Sequence, residues 1–586
     1  MPRQINTQSS VFMLSIDYFV LAIYLAGIFG VGLFLSSKNK SSADMFAAGG
    51  ESPWWTSGLS SFMTMFSAGT FVVWGGIAYQ HGLVAVVINL CYGAAALLVG
   101  FFVAGHWKRM GVKTPAEFIE LRFGASAVQF YTWAMMIFRI VGVAVSLYSL
   151  SIVLVAMMPL ADGNPLQDPA TGNLSLMWAI VIFGGIVVIY TMAGGLWAVL
   201  MTDVLQFIVL NLAVLFIVPL AFGQVGGVSA FLEKAPEGFF ALTSDKYTMF
   251  FLVGWVVIHF FMIGAEWAFA QRFICVSSEK DAKKSCFLFG GLYLCSPILW
   301  LLPPMIYRTM DPNADPQEAY ILACRAVLPA GMVGLMVAAM FSATASMVSS
   351  QLNVFAGVLT DEMYRRVFRP DSTEKHLVNI GRLFTIALGV VLIVVSLLIP
   401  YLGGAEKVVV AITSLMVGPL LAPTIWGLFS RRIGIRAIWT TVAISFVLGL
   451  ILKLGLGTNG WLLSGSTTAL AEWIQANGTT VDLIIGVLIP VSLLTIMHYW
   501  RGETSAGWIR VQKQVSDVIA AGKVTEASAL PAIIVGGCLL VCALLMFGLI
   551  PFNESGHGIL ATFGVVLLCI SGSIFLFMKT QKRRTL

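Results

Sequence analysis

Apolar segments of roughly 18 residues or more recur along this chain, and no other feature limits its fold so strongly. A helix of that length crosses the hydrocarbon core of a bilayer. Only 11% of the residues are charged, against about 25% in soluble domains. The sequence therefore predicts an all-α polytopic membrane protein with about fifteen spans. The predicted spans lie near residues 14–36, 54–79, 82–105, 126–158, 176–194, 197–222, 248–271, 284–307, 330–359, 379–401, 405–428, 436–456, 482–499, 529–551 and 556–578.

Basic residues gather in every second loop and in the C-terminal tail, which predicts the orientation in the bilayer. The loops on the opposite side hold few of them: Arg3, Lys234, Lys246, Arg308, Arg325 and Lys407. Because cytoplasmic loops carry the excess of lysine and arginine, we expect the N-terminus outside and the C-terminus in the cytoplasm of a plasma or bacterial inner membrane. The net charge of +6 reflects this bias, so no nucleic-acid partner is implied.

Several functional classes find no support in the sequence. The eight cysteines are scattered and form no paired metal spacing, so they predict neither a zinc site nor a disulfide framework. We find no P-loop, no catalytic nucleophile constellation and no soluble domain large enough to hydrolyse ATP. We therefore expect a protein that is not an enzyme, with any uphill transport driven by an ion gradient.

A carboxylate, Asp203, lies within an apolar segment. A buried charge in hydrocarbon is costly without a partner, so Asp203 marks a candidate functional site with a cation nearby. Ser346, Ser349 and Ser350 follow the spacing of one helix face. A carboxylate with hydroxyls suits a hard cation such as sodium. The simpler alternative is that these small serines only allow close packing of two membrane helices.

Polar and small residues interrupt the second span between Ser60 and Phe71, and a second candidate break lies at Gly264 to Trp267 in the seventh span. Unwound backbone in a membrane is tolerated where it lines a cavity or binds an ion. Two broken helices five spans apart indicate an inverted five-plus-five repeat with its binding site at the bilayer midplane.

The chain resembles the sodium/solute symporter family, which includes sodium-coupled sugar, proline and sialic acid carriers. The resemblance depends on YTMAGGLWAVLMTDVLQ from Tyr190, ASMVSSQLN followed by TDEMY at Thr360, the stretch Ala270 to Ser285, and Ser41 to Trp55. It implies a LeuT-like inverted repeat. We accordingly expect an extra N-terminal helix in residues 1–40, the transporter core in 41–432 and about four peripheral helices in 433–586.

The resemblance also implies two sodium sites. The first uses the backbone carbonyls of Met63, Phe66 and Ala343 and the hydroxyl of Ser346. Met347 stands where relatives often have a second hydroxyl, which would weaken this site. The second site, known in some members, needs an aspartate and three hydroxyls. These ligands are Asp203, Ser346, Ser349 and Ser350.

By the same resemblance, the solute-binding positions are Thr70, Asn89, Glu266, Trp267 and Tyr293. These polar and aromatic residues suit a sugar, because aromatic rings stack on its C–H faces while polar groups pair with its hydroxyls. They are not the residues of the sugar carriers, since Glu266 replaces a neutral amide and Tyr293 a lysine.

Three further polar residues leave alternatives open. Arg139 either forms a structural ion pair with Glu266 or, together with it, brackets a charged or zwitterionic solute. His259 is expected to serve as an interhelical hydrogen-bond donor rather than a proton carrier. Lys453, near the end of a span, is expected to snorkel towards the surface.

The sequence thus favours a sodium-coupled symporter of a small polar solute, most readily a sugar or sugar-like compound, working by alternating access. Sodium- or proton-coupled uptake of an amino acid, a carboxylate or another charged solute is the first alternative. An ion channel or a membrane sensor on the same scaffold is the alternative from another class. The expected partners are sodium, the solute and the lipid bilayer, and the sequence leaves the oligomeric state open.

Overall fold

The computed structural model describes residues 15–36, 52–193, 196–329, 331–456, 460–463, 467–500, 504–521, 530–552 and 557–584. Most of the family stretch Ser41 to Trp55 therefore lies outside the described residues. The described chain is helical, and the α-helices, in chain order, are α1 (Ser15–Ser36), α2 (Trp54–Thr64), α3 (Gly75–His81), α4 (Leu83–Phe102), α5 (Ala104–Arg109), α6 (Pro115–Phe123), α7 (Ala125–Val155), α8 (Leu176–Ala193), α9 (Leu196–Val225), α10 (Val228–Lys234), α11 (Met249–Ala265), α12 (Trp267–Ile274), α13 (Glu279–Met310), α14 (Ala319–Val327), α15 (Met332–Val358), α16 (Glu374–Leu398), α17 (Ala405–Phe429), α18 (Ile435–Leu450), α19 (Thr468–Ala476), α20 (Gly478–Leu483), α21 (Ile489–Trp500), α22 (Ala506–Ala521), α23 (Leu530–Leu549) and α24 (His557–Arg584).

Each apolar segment predicted from the sequence contains helix wherever the structure describes it. Within that part of the chain, eleven helices are long and apolar enough to cross a membrane, and α11 with α12 counts as a twelfth if the bent pair is one span. Two shorter apolar helices, Ile16–Gly27 and Leu176–Ile189, accompany them. The protein is therefore an integral, multi-pass membrane protein, as predicted.

Both predicted helix breaks are present. α2 ends at Thr64, and after a short irregular segment the chain continues as a π-helical turn, Thr70–Trp74, leading into α3. α11 and α12 meet at an angle of 53°, and the extended residue between them is Glu266, with φ −68° and ψ 138°. The second and seventh spans, which are five apart, are thus both broken in the protein interior.

The first helix is fastened to α15, which carries the serine stripe. The Asp17 carboxylate accepts hydrogen bonds from the backbone amides of Gly331 and Gly334 at 2.6 and 2.9 Å. These amides belong to the first turn of α15, whose unpaired donors a carboxylate stabilises. A Cβ atom on Gly334 would lie 2.2 Å from the backbone oxygen of Asp17. Glycine is therefore required for this close approach.

Arg122 at the end of α6 ties together the basic side of the protein. Its guanidinium donates to the backbone carbonyls of Gly427, Ser430 and Ile433 at 2.6–2.9 Å and to Ser505 Oγ at 2.7 Å. Burial lowers the pKa of Arg122 to about 10, so the group stays charged at neutral pH. It thereby satisfies the free carbonyls at the end of α17 and joins them to the start of α22.

Lys453 forms an ion pair, and its snorkelling towards the surface stays a prediction. Its Nζ lies 2.5 Å from Oδ1 of Asp482, whose side chain is buried in α20. An isolated carboxylate at this depth is costly, and the lysine supplies the compensating charge. The pair links two of the peripheral C-terminal helices, whose separation from the core at residue 433 stays a prediction.

Candidate functional site

The irregular segment in the second span is stabilised by side chains on other helices. The backbone amide of Ala68 donates to Thr344 Oγ1 at 2.9 Å, and that of Gly69 donates to Ser67 Oγ at 3.1 Å. Ser67 Oγ in turn donates to Ser146 Oγ at 3.1 Å. Because unpaired backbone groups are costly at membrane depth, these bonds hold the break in one conformation.

A cavity of about 100 Å³ lies beside this break. Its wall combines hydroxyl groups, aromatic rings, apolar side chains and a guanidinium, supplied by the break in the second span and by α2, α4, α7, α11, α15 and α17. The lining residues are Thr64, Met65, Ser67, Gly69, Thr70, Val73, Trp74, Tyr92, Phe138, Arg139, Val141, Gly142, Val145, Ser146, His259, Met262, Met347, Val408, Val409, Ile412 and Thr413. Such a mixture is typical of a site for a small polar molecule.

The predicted solute-binding residues divide into two groups. Thr70 and Arg139 line the cavity. Asn89, Trp267 and Tyr293 are buried outside its lining: the amide of Asn89 donates to a carbonyl of its own helix, and the two rings pack against other aromatic side chains. A contact of these three residues with the solute therefore stays a prediction.

Several lining residues were missed by sequence reasoning. Ser146, Tyr92 and Trp74 lie in apolar helical runs where a single polar or aromatic residue carries no positional signal. Thr413 comes from α17, where no residue was predicted to belong to a site. The interruption of the second span did point to the neighbourhood, since its residues form one wall of the cavity.

Arg139 and Glu266 form the buried ion pair that was one of the two alternatives. Nη2 of Arg139 lies 2.9 Å from Oε2 of Glu266, and the two side chains are 6% and 1% exposed. Both still have unused hydrogen-bonding capacity: in the described part of the chain, Nε of Arg139 and Oε1 of Glu266 have no hydrogen-bond partner. Arg139 lines the cavity, whereas Glu266 contacts Arg139 and is not part of the lining.

His259 has a packing role as well as a position in the wall. Its Nδ1 lies 2.8 Å from the carbonyl oxygen of Trp255 on the same helix, and its ring centroid is 4.0 Å from that of Tyr92. The hydrogen bond is therefore within α11 rather than between helices, which differs from the expectation. Because α11 ends at Ala265 and α12 begins at Trp267, no continuous helix runs from His259 past Glu266.

Asp203 is buried and lies at the centre of a polar cluster. Ser60 Oγ donates to its Oδ2 at 2.5 Å, and Ser346 Oγ donates to its Oδ1. Nη2 of Arg272 lies 3.6 Å from Oδ2, while Nε of Arg272 donates to Ser60 Oγ at 2.8 Å. Three broken or packed helices, α2, α12 and α15, thus meet at one carboxylate of α9.

Arg272 corrects the sequence analysis in one respect. Arg272 falls just outside the predicted span 248–271, so the sequence does not mark it as buried. In the structure α12 continues to Ile274 and Arg272 is 1% exposed. The residues that follow Arg272 are rich in charges, so the sequence does not distinguish this buried arginine from its exposed neighbours. Asp203 does have a cation nearby, as expected, and that cation is part of the protein.

The remaining residues predicted to bind sodium lie on α15 and at or after the end of α2, the helices that carry Ser346 and Ser60. Ser349 Oγ donates to the carbonyl oxygen of Ser346 at 3.0 Å, and Ser350 is buried on the same helix, as is Ala343. Met63 and Phe66 flank the break, where the amide of Phe66 donates to the Met63 carbonyl at 3.0 Å. A carboxylate with hydroxyl and carbonyl oxygens is a ligand set that fits sodium.

Met347 lies between the two parts of the site. Its side chain lines the cavity, and its sulfur accepts a hydrogen bond from Ser146 Oγ at 3.4 Å. A thioether is a weak acceptor and a poor ligand for a hard cation. Met347 therefore contributes apolar surface to the cavity instead of an additional oxygen ligand for a sodium ion.

Comparison with known proteins gives a consistent assignment. The sequence model of the "Sodium:solute symporter family" matches residues 45–442. A sodium/sialic acid symporter, NanT of Aliivibrio fischeri, is 26% identical over 440 residues, which cover 71% of this chain and 84% of that protein. A sodium/glucose cotransporter of Vibrio parahaemolyticus is 28% identical over 481 residues, covering 75% and 85%.

Solved structures agree at the level of fold. A Na⁺-coupled sialic acid symporter in a substrate-bound, outward-open state superposes with a TM-score of 0.69 at 22% identity, covering 84% of this chain and 98% of that one. Mhp1, a nucleobase-cation-symport-1 family transporter, has a TM-score of 0.50 at 15% identity, with coverages of 81% and 99%. The fold is the LeuT-like inverted repeat that the two broken helices predicted.

Proposed function

Since the chain belongs to the sodium:solute symporter family, we propose that it carries a small sugar-like solute into the cell together with sodium, by alternating access. Sodium is the coupling ion of such a transporter, and the protein is a carrier rather than an enzyme. The N-terminus lies outside and the C-terminus in the cytoplasm, because the basic loops alternate along the whole chain.

The cavity beside the break in the second span supports this proposal most directly. Ser67, Thr70 and Ser146 present hydroxyl groups to it, and Trp74 and Tyr92 present aromatic rings. Sugars need both kinds of contact, since their hydroxyls hydrogen-bond while their C–H faces pack on rings. Ser67 belongs to the unwound segment and Thr70 begins the π-helical turn that follows it, so the solute would contact the same element that changes shape during transport.

Arg139 favours an acidic sugar within this class. Its guanidinium lines the cavity and has an unused Nε donor, and a planar guanidinium matches a carboxylate. Two of the relatives described above transport sialic acid. A neutral sugar is the second candidate, because Glu266 already neutralises Arg139 and the lining then offers mainly hydroxyls and rings.

Two sodium sites complete the proposal. The first comprises the carbonyls of Met63, Phe66 and Ala343 with Ser346, and the second comprises Asp203 with Ser346, Ser349 and Ser350. Ser60 joins the second site, because its hydroxyl bonds Asp203. Proton coupling through Glu266 is less favoured, since the Glu266 carboxylate already has an ion-pair partner, Arg139, 2.9 Å away.

A thermal-shift screen of purified protein tests the solute class. Sialic acid, glucose, a polyol, proline and a dicarboxylate would each be added with and without sodium, because a ligand of the folded state raises its melting temperature. We expect a sodium-dependent shift with sialic acid. A shift with proline or the dicarboxylate alone would contradict a sugar-like solute.

A matched pair of serine variants then tests the cavity. Ser146→Ala removes a lining hydroxyl, whereas Ser151→Ala removes one on the same helix that bonds its own backbone outside the lining. We expect Ser146→Ala to weaken binding of the identified solute about fivefold to tenfold, as for loss of one hydrogen bond, and Ser151→Ala to leave binding unchanged. Equal effects of the two variants would place the solute elsewhere.

A further inference from the structure

The short helix α12 carries a buried ion pair at each end. Glu266, at its N-terminal cap, pairs with Arg139 of α7 beside the solute cavity. Arg272, near its C-terminal end, faces Asp203 of α9 in the sodium cluster. The four side chains are between 1% and 6% exposed. One rigid element of two turns therefore touches both halves of the proposed transport site.

The contact between Arg272 and Asp203 is close but incomplete. Nη2 of Arg272 lies 3.6 Å from Oδ2 of Asp203, beyond ordinary hydrogen-bond distance. That nitrogen is buried and has no hydrogen-bond partner within the described ranges. The rest of the guanidinium is held, since Nη1 donates to the Ala268 carbonyl and Nε to Ser60 Oγ, both at 2.8 Å. The arginine and the carboxylate are therefore held together by charge attraction rather than by a direct hydrogen bond.

Sodium and Arg272 require the same negative charge. A carboxylate neutralises one cation, and two cations within a few ångströms repel strongly in a medium of low dielectric constant. Ser60 is shared in the same way, because it accepts from Arg272 and donates to Asp203. A sodium ion bound at Asp203 would therefore weaken the hold of this carboxylate and hydroxyl on the guanidinium.

We propose that Arg272 is a tethered cation that sodium displaces from Asp203, and that α12 transmits this displacement to Glu266 and Arg139 at the solute cavity. The proposal rests on Asp203 being a sodium site, as stated above. The extended backbone at Glu266 supplies the hinge, because it separates the hydrogen-bonded ladders of α11 and α12. Sodium binding would then reposition Arg139 for the solute, which makes the two binding events cooperative.

Sodium titrations of purified Arg272→Gln and Arg272→Lys test the competition. Binding would be followed by intrinsic tryptophan fluorescence and by thermal shift, with potassium replacing sodium in the reference. Arg109→Gln is the matched control, since Arg109 pairs with Glu279 on the surface at 46% exposure. We expect Arg272→Gln to bind sodium about tenfold more tightly than the wild type, and Arg272→Lys and the control to bind it with affinity near that of the wild type.

Coupling is the second readout. In the wild type, sodium should tighten binding of the solute found in the screen, and in Arg272→Gln this effect of sodium should be largely lost. A folded Arg272→Gln variant with unchanged or weaker sodium affinity overturns the proposal. If the wild type itself binds no sodium, the proposed function fails instead, so the two failures are distinguishable.

If Arg272→Gln does not fold, a cysteine reporter at the end of α12 in protein that keeps Arg272 tests the same displacement. Cys275 caps α12, is buried, and its Sγ lies 3.2 Å from Ser57 Oγ of α2. Alkylation would be measured in a variant that keeps Cys275 as its single cysteine, with a single-Cys324 variant as control for a buried thiol on α14. Sodium should speed alkylation of Cys275 several-fold and leave Cys324 unchanged. An unchanged rate at Cys275 in sodium-saturated protein overturns the displacement of α12.

Discussion

In the proposed sodium site, Asp203 is the residue on which ion binding would depend most directly. Its two carboxylate oxygens accept from Ser60 and Ser346, which turns both hydroxyls towards the place where a cation would bind. The carboxylate supplies the main attraction for an ion that must shed water. In the structure the compensating charge is that of Arg272, whose Nη2 lies 3.6 Å from Oδ2 of Asp203.

Asp203→Asn should therefore lower apparent sodium affinity about tenfold or more, which corresponds to about 1.4 kcal/mol or more. The amide keeps the size and part of the hydrogen bonding but removes the charge. Sodium-dependent thermal shift measures the affinity, and Asp162→Asn on an exposed loop is the control. Unchanged sodium dependence in a folded Asp203→Asn variant would remove this residue from the ion site.

Met347→Ser should increase sodium affinity, because it restores a hydroxyl beside Ser346. Met347→Ala is the matched control, since it loses similar side-chain volume without adding an oxygen. Both variants should lose some stability through the space left behind. Equal sodium affinities of the serine and alanine variants would mean that other oxygens already complete the first sodium site, or that the site is unused.

Glu266→Gln should destabilise the protein by about 3–5 kcal/mol, the cost of breaking a buried ion pair, because it leaves the Arg139 charge without a partner. The Arg139→Gln/Glu266→Gln double variant should recover much of that stability. It should not recover solute binding, because Arg139 lines the cavity. Chemical unfolding and solute titration measure the two effects. Full recovery of solute binding by the double variant would reduce the pair to a structural role.

At the scale of elements, the two broken helices determine what the site can do. α2 and α12 both reach Asp203, through Ser60 and Arg272, while α15 contributes Ser346 and also receives the Ala68 amide on Thr344. Motion of any of these elements would alter the ion cluster. The helix α1 outside the repeat holds α15 through Asp17 and so steadies one side of this cluster.

Gly334→Ala should break that support. Its Cβ would lie 2.2 Å from the backbone of α1, and an overpacked contact of this kind costs about 1–3 kcal/mol. Gly291→Ala in α13 is the control, because a Cβ there meets nothing within 4 Å and alanine favours helix. We expect a lower melting temperature for the first variant only. Equal stabilities would show that α1 can shift without effect on α15.

At the scale of the whole molecule, periodicity and polarity predicted most of the architecture. Long apolar runs gave the spans, and polar interruptions at Ser60 to Phe71 and at Glu266 gave the breaks, because unwinding in a membrane needs small or polar residues. The partner of Asp203 was missed, since Arg272 adjoins a charged surface stretch. The partner of Lys453 was missed for a related reason, because Asp482 lies in a separate helix and only folding brings the two together.

The cavity was the least predictable part. Its wall is assembled from six helices and the break in the second span, and residues such as Thr413 and Tyr92 acquire a role only through the packing of α17 and α4 around the break. The sequence pattern does not distinguish such residues from the other members of apolar helices. The ion site was more readable, because a carboxylate in hydrocarbon is rare and needs a reason.

Uptake into proteoliposomes tests the central claim, sodium-driven transport of a sugar-like solute, most directly. Labelled acidic sugar, neutral sugar and amino acid would be offered under an inward sodium gradient, a matching potassium gradient and a proton gradient. We expect the acidic sugar to accumulate above its external concentration only with sodium, and Asp203→Asn to abolish this accumulation. Uptake that follows the proton gradient, or that equilibrates without regard to sodium, would contradict it.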